Sequence, residues 1–217
     1  AELQTAPQDI SGVAVASAAY RMPLDAQAMA VDLYGAYSDV SSGKTATAAG
    51  DLEFSGKGHI VGARLTQYLP RWDSVDQRVA LGLESRAYLN DCSISGLPAG
   101  ACGSAGASVS LQPLSLSYTA QSSGELHLGL NLSLHHNLGL GGSHASQADF
   151  DAVRASATRR YTLVRGAVQA MVPVPDVGTL SLRGSAQATS QALVPGELFG
   201  IGGSMSVRGY EERELGG

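Results

Sequence analysis

The sequence predicts an all-β fold, an antiparallel transmembrane β-barrel segment, and three features of the chain lead to this prediction. Apolar residues alternate with polar residues over stretches longer than the usual strands of soluble sheets. Short and long connections follow one another in strict alternation. Charged residues recur on one face of the alternating stretches, whereas the opposite face is nearly free of charge. Together these features are typical of an outer-membrane barrel, whose strands cross the bilayer with about ten tilted residues each.

The alternation is clearest in the stretch that ends at His135. Leucines occupy every second position from Leu126 to Leu134, with polar or small residues between them. Because successive side chains of a strand point to opposite faces, these leucines share one face. Pro113 changes the phase of another stretch, where we expect a bulge or an irregular edge. The pattern as a whole predicts eight strands, at residues 11–21, 26–38, 55–69, 77–89, 108–119, 125–135, 157–172 and 178–191, followed by a loop at 192–217.

The connections between these strands differ systematically in length. Short connections are predicted at 21–25, 70–76, 120–124 and 173–177, and long ones, rich in glycine, serine and alanine, at 39–54, 90–107 and 136–156. In an up-and-down sheet, strict alternation places all the long connections at one end. Outer-membrane barrels show this asymmetry, with short periplasmic turns and longer external loops.

Charged residues recur at mid-strand positions of the polar face, and we expect them to line a water-filled lumen. They are Asp32, Arg64, Glu84, Arg86, Arg165 and Arg183. The competing interpretation is a soluble all-β sandwich or barrel, which would also alternate between a dry inside and a wet outside. Mid-strand charges on one face, opposite a nearly uncharged face, favour the membrane barrel.

Composition excludes several classes of function. The chain of 217 residues carries 14 Lys and Arg against 19 Asp and Glu, a formal net charge of −5. This balance, without a basic cluster interleaved with aromatics, argues against a nucleic-acid partner. No run of eighteen apolar residues occurs, so the sequence predicts no transmembrane helix.

The two cysteines, Cys92 and Cys102, lie close together in a segment rich in glycine, serine and alanine. An even count in such a segment favours a local disulfide formed in an oxidising compartment over two free thiols. No histidine stands at ligand spacing beside them, so a metal site is not expected.

Nothing in the sequence indicates an enzyme, a metal centre or a cofactor. No Gly-x-Ser-x-Gly nucleophile turn lies between a strand and a helix. His127 and His135 alternate with leucines in one strand, and we interpret them as polar-face residues rather than metal ligands. The glycine-rich segment that ends at Ser204 is not followed by Lys-Ser or Lys-Thr, so it lacks a nucleotide phosphate-binding pattern.

A longer segment that contains this glycine-rich run carries the most specific signal in the chain. It runs from Phe199 to Tyr210 and ends in the tetrad Val207-Arg208-Gly209-Tyr210. The tetrad, preceded by Phe199, Gly202 and Gly203, resembles the sixth external loop of the outer-membrane transporters of two-partner secretion systems. These transporters form the haemolysin-activator and filamentous-haemagglutinin-transporter family.

The resemblance implies a sixteen-stranded barrel in the outer membrane of Gram-negative bacteria, of which this chain is about eight strands. The first predicted strand then corresponds to the fourth of the family. POTRA domains, the remaining strands and the carboxylate that pairs with Arg208 are expected outside residues 1–217, as parts of a longer polypeptide. The implied partners are outer-membrane lipid and a secreted exoprotein, a haemolysin or adhesin, which moves from periplasm to surface without nucleotide.

Two alternatives remain open at this stage. The tetrad is shared with outer-membrane barrel-assembly insertases of the same superfamily, which carry more POTRA repeats. A soluble or surface all-β binding module is the third interpretation, and independence from detergent would distinguish it.

Overall fold

The computed structural model describes residues 1–6, 9–47, 50–98, 100–124, 126–175, 178–201 and 215–216. These residues form a ten-stranded antiparallel sheet and a separate pair of short strands. The strands of the sheet are β1 (Glu2–Ala6), β2 (Asp9–Leu24), β3 (Met29–Thr47), β4 (Gly50–Trp72), β5 (Val75–Ile94), β6 (Val109–Leu111), β7 (Pro113–Ser122), β8 (His127–Asn137), β9 (Thr162–Val174) and β10 (Gly178–Thr189). Neighbours in the chain are neighbours in the sheet, except that β6 and β7 both pair with β5.

The other elements are short. Strands β11 (Gly200–Ile201) and β12 (Leu215–Gly216) pair with each other, and helix α1 (Gln147–Val153) lies in the connection between β8 and β9. Single 3-10 turns lie at Asp25–Gln27, Gly103–Gly106 and Pro195–Glu197. Within the described residues, no helix has the length and apolar character needed to cross a membrane.

The predicted fold class is confirmed: the chain is all-β and its sheet is antiparallel. Strands β1 and β10 lie at the two edges, so the strands described here form an open arc and do not close a barrel. The sheet has one end with short turns, between β2 and β3, β4 and β5, β7 and β8, and β9 and β10, which we name the turn end. We name the opposite end, which carries the connections 95–108 and 138–161, the loop end.

The prediction of a long connection at 39–54 is wrong, because most of these residues belong to strands β3 and β4 of the sheet. Strands β3 and β4 pair as far as Thr47 and Gly50, with one irregularity between Ser41 and Lys44. A ladder needs only backbone N–H and C=O groups, so it continues where the apolar alternation has faded. Strand β4 therefore reaches 23 residues, roughly 75 Å at about 3.3 Å per residue, well beyond the thickness of a bilayer core.

Three further differences concern single elements. Strand β1 and helix α1 have no counterpart in the predicted strands, and residues 157–161 are loop rather than the start of β9. At Pro113 the ladder of β5 is interrupted between β6 and β7, but the register is the same on both sides. The proline region is therefore a local break in hydrogen bonding and not a bulge.

The two faces of the sheet differ in character. One face presents large apolar side chains that remain exposed, among them Leu33, Val61, Leu132, Val168 and Leu182, each between 45% and 61% accessible. We name it the apolar face. The compact core lies instead at the loop end and consists of Val109, Leu111, Phe150, Ala157, Tyr161, Leu163, Leu193 and Val194. An extended exposed apolar surface of this kind marks contact with a membrane or a partner.

Candidate functional site

The strand register places the six predicted charged residues on one face of the sheet. Asp32 lies opposite Arg64, and Arg64 lies opposite Gly82 on β5. Glu84 and Arg86 follow Gly82 at even spacing, so they point to the same side. The first four charges are therefore on one face of three adjacent strands.

The same face continues across the rest of the sheet. Gly82 pairs with Ser115, Ser115 with His135, and His135 with Leu163. Arg165 stands two residues after Leu163 and pairs with Gln187, which places Arg183 on this side as well. We name this side the polar face. Its other members include Arg21, Tyr34, Thr66, Tyr68, Arg78, Ser117, Thr119, Asn131 and Ser133.

Arginines and carboxylates of the polar face form ion pairs both between strands and within a strand. Arg21 Nε donates to Asp32 Oδ1 at 2.6 Å and Arg21 Nη2 to Asp32 Oδ2 at 2.9 Å. Arg86 Nε donates to Glu84 Oε2 at 2.6 Å, and the Tyr34 hydroxyl donates to the other oxygen of Glu84. The Arg64 guanidinium lies over the Tyr34 ring, 5.6 Å from its centroid. This face is charged and hydrogen-bonded over strands β2 to β5.

A loop residue joins this network. Glu197, only 2% exposed, lies in the 3-10 turn that follows β10. Its Oε1 accepts from Arg86 Nη1 at 2.7 Å, and its Oε2 accepts from Arg165 Nη2 at 3.1 Å. Its carbonyl oxygen accepts from Arg165 Nη2 and Gln187 Nε2, both at 3.1 Å. A buried carboxylate is tolerated here because a guanidinium cation donates to each of its two oxygens.

The segment around Glu197 lies on the polar face. We name residues 193–198 the docked segment. Gly196 packs against Tyr88 of β5, and a Cβ atom at this glycine would stand 3.2 Å from the tyrosine ring. Leu193 and Val194 are buried in the core at the loop end. The docked segment thus runs from the loop-end core onto the polar face.

The connection that contains α1 packs on the docked segment. Arg154 Nη1 donates to the Leu193 carbonyl at 2.8 Å, and Thr158 N donates to the Ala192 carbonyl at 2.8 Å. Phe150 of α1 and Tyr161 are fully buried in the same core. Burial raises the pKa of Tyr161, whose hydroxyl has no hydrogen-bond partner among the described residues.

Helix α1 is short but well capped. Ser146 accepts from the backbone of Asp149, and the Asp149 carboxylate accepts from both the backbone and the hydroxyl of Ser146. These hydrogen bonds lower the pKa of Asp149. This capping box holds the first turn of α1, and with it the position of Phe150.

Comparison with known proteins assigns the family. Residues 8–217 match the model of the haemolysin secretion/activation protein family ShlB/FhaC/HecB. The chain belongs to this family. The family comprises two-partner secretion transporters, which are outer-membrane proteins of Gram-negative bacteria and not a family of enzymes.

Solved structures show the same fold. CdiB from Escherichia coli is 18% identical, with a TM-score of 0.74 over 92% of this chain and 35% of its own. CdiB from Acinetobacter baumannii is 15% identical, with a TM-score of 0.70 over 94% of this chain and 34% of its own. The chain therefore spans about a third of the length of these structures. No curated protein matches it.

The predicted loop motif of this ShlB/FhaC/HecB member is described only at its start. Phe199 is half-buried and directly follows the docked segment. The other motif residues, Gly202, Gly203, Val207, Arg208, Gly209 and Tyr210, lie outside the described residues.

Cys92 and Cys102 are joined by a disulfide at the loop end, with an S–S distance of 2.06 Å. The bond links the end of β5 to the connection that follows it. Within the described part of the chain, no group of His, Cys, Asp and Glu could hold a metal ion. His135 lies on the polar face with Nε2 3.0 Å from Ser133 Oγ.

Sequence reasoning missed Glu197, Gln187 and Tyr34. Gln187 and Tyr34 lie at polar-face positions, but neither carries a formal charge to attract notice. Glu197 lies in a loop, where no periodicity predicts the direction of a side chain. Its only signal is a carboxylate in the Pro-Gly-Glu turn directly before the glycine-rich motif.

Proposed function

We propose that the protein to which this chain belongs carries a partner exoprotein, of haemolysin or adhesin type, from the periplasm to the cell surface. The described strands are then one arc of the barrel wall, with the loop end outside the cell. The polar face lines the hydrated path and the apolar face contacts lipid.

The observation that carries this proposal is the division of one sheet into two faces. Six charges on β3, β4, β5, β9 and β10 share the polar face, whereas exposed leucines and valines occupy the other. A soluble sandwich buries its apolar face against a second sheet. Here large apolar residues of the described strands remain exposed, as a lipid-facing wall requires.

The polar face suits an unfolded client. An extended polypeptide exposes backbone N–H and C=O groups, which need hydrogen-bonding partners wherever water is displaced. On the polar face, strands β7 and β8 carry adjacent rows of hydroxyl and amide side chains, at Ser115, Ser117, Thr119, Asn131 and Ser133. These short polar side chains provide donors and acceptors that many backbone positions of an extended client can use in turn, which fits transport rather than retention.

Secretion by cells tests this function. The full-length protein is expressed in a strain that lacks it, together with a candidate exoprotein of haemolysin or adhesin type from the same bacterium. The exoprotein is then measured at the surface and in the medium. We expect surface exoprotein only when the full-length protein is present. Retention of the exoprotein in the periplasm, with the barrel correctly inserted, would contradict the proposal.

A further inference from the structure

The two arginines that bind Glu197 come from strands that are not neighbours. Arg86 belongs to β5 and Arg165 to β9, with β7 and β8 between them in the sheet. Three strand spacings of about 4.8 Å separate them by roughly 14 Å across the strands. They are also displaced along the strands, because the register aligns Arg165 with Ala80, six residues from Arg86. The two oxygens of the Glu197 carboxylate contact both arginines, with Oε1 2.7 Å from Arg86 Nη1 and Oε2 3.1 Å from Arg165 Nη2. The two guanidinium groups therefore extend over β7 and β8, and the docked segment lies within the curve of the sheet.

Each arginine is itself held in place. Arg86 also pairs with Glu84, which accepts a hydrogen bond from Tyr34 of β3. Arg165 Nε donates to Gln187 Oε1 of β10 at 2.7 Å. Side chains from four strands of the sheet thus form one network around the Glu197 carboxylate, in which each arginine has a second partner on the sheet.

Apolar packing alone does not require this arrangement. Leu193 and Val194 already fix the start of the docked segment in the loop-end core. A buried ion pair adds little net stability, because desolvation offsets the attraction. Removing only one of its partners is nevertheless strongly destabilising, since a buried charge is left unpaired, and the pair therefore holds one geometry. This property suits a group that keeps a loop in a defined place and releases it as a unit.

We propose that Glu197 is a positioning residue whose pairs with Arg86 and Arg165 hold the docked segment across the polar face and keep the resting pore narrow. This inference rests on the proposed function. Arg208 of the loop motif follows Glu197 by eleven residues in the sequence.

Ion current through the full-length protein in planar lipid bilayers tests the anchor. In Glu197→Gln the side-chain shape is kept and the charge is removed, so residues 195–198, the part of the docked segment beyond the loop-end core, are released from the polar face. We expect the time-averaged conductance of the inserted protein to rise about tenfold, within the 5- to 150-fold range typical of coupling between two states. Asp151→Asn, an exposed carboxylate on α1, is the matched control and should leave the current unchanged.

A variant in which the charges of the Glu197–Arg165 pair are exchanged distinguishes a positioning role of this pair from a contribution to stability alone. In Glu197→Arg combined with Arg165→Glu, one ion pair is rebuilt with opposite signs while Arg86 keeps Glu84, so the low conductance should return. Heat-modifiability of the barrel on gels monitors folding in every variant. If Glu197→Gln does not insert, the double variant Arg165→Gln with Glu197→Gln leaves one fewer unpaired cation and is measured in its place.

The outcomes are distinguishable from failure of the proposed function. Wild-type conductance in the inserted Glu197→Gln protein, or in the double variant where that one is used, overturns the anchor even if the wild type secretes its exoprotein normally. Raised conductance in the variant supports the anchor, and it does so even if the wild type secretes nothing, a result that contradicts only the proposed function.

Discussion

A charge placed on the apolar face should destabilise the protein in a bilayer, whereas the same charge one residue away should have a much smaller effect. Leu132 is 45% exposed and lies at the centre of β8, five residues from each end. Five residues correspond to about 16 Å along the strand, so an arginine here begins deep in the hydrocarbon layer. Leu132→Arg should cost about 2–4 kcal/mol of folding free energy in a bilayer.

The adjacent residue is the control. Asn131 belongs to the polar face, is exposed, and donates one hydrogen bond to Thr119 Oγ1 at 3.0 Å. Asn131→Arg loses that bond, worth about 1 kcal/mol, but its charge stays in water. Folding of the full-length protein into liposomes, followed by urea titration, measures both variants. The expected difference corresponds to roughly a 5- to 200-fold change in the folding equilibrium. Equal stability of the two variants would refute the assignment of the faces.

Three further predictions concern the loops. Arg208→Ala should abolish secretion of the exoprotein while the barrel still inserts; normal secretion at wild-type protein levels would count against a role for this arginine. Replacing Cys92 and Cys102 by serine opens a loop with a sequence separation of 10 and should lower the stability by about 2–3 kcal/mol. Thermal unfolding measures this loss, and identical curves for reduced and oxidised wild type would contradict it. The hydrogen bonds that lower the pKa of Asp149 stabilise α1 at pH values above the ordinary range of an aspartate pKa, where the carboxylate is ionised. This stabilisation is lost as the pH falls through the lowered value, so proteolysis at the loop end should become faster at acid pH in the wild type. In Asp149→Asn the rate of proteolysis should depend less on acid pH, and an unchanged pH dependence would contradict the capping role.

The central strands and their two faces were predictable, because period-two alternation directly encodes which side chains point the same way. From Leu126 to Leu134 every second residue is leucine, and this pattern determines the apolar face of β8 without any knowledge of its neighbours. The shared face of the six charged residues also follows from their positions in this alternation. Antiparallel pairing then carries the assignment from strand to strand.

The loop end was not predictable in the same way. Strands β3 and β4 continue beyond the alternating region, where backbone pairing alone maintains the ladder. Helix α1 has only seven residues and lies in a segment rich in glycine and serine, so its capping box was the sole signal. Glu197 meets Arg86 at a sequence separation of 111, a contact that only the three-dimensional curve of the sheet brings about.

The proposed path of the client is tested most directly by photocrosslinking from adjacent positions of β8. A photoreactive amino acid replaces either Asn131 or Leu132 in the full-length protein, and the exoprotein carries a folded domain that arrests it in transit. The account predicts crosslinks to the exoprotein from position 131 and crosslinks to lipid from position 132. Exoprotein crosslinks of equal yield from both positions, or from position 132 alone, would contradict it.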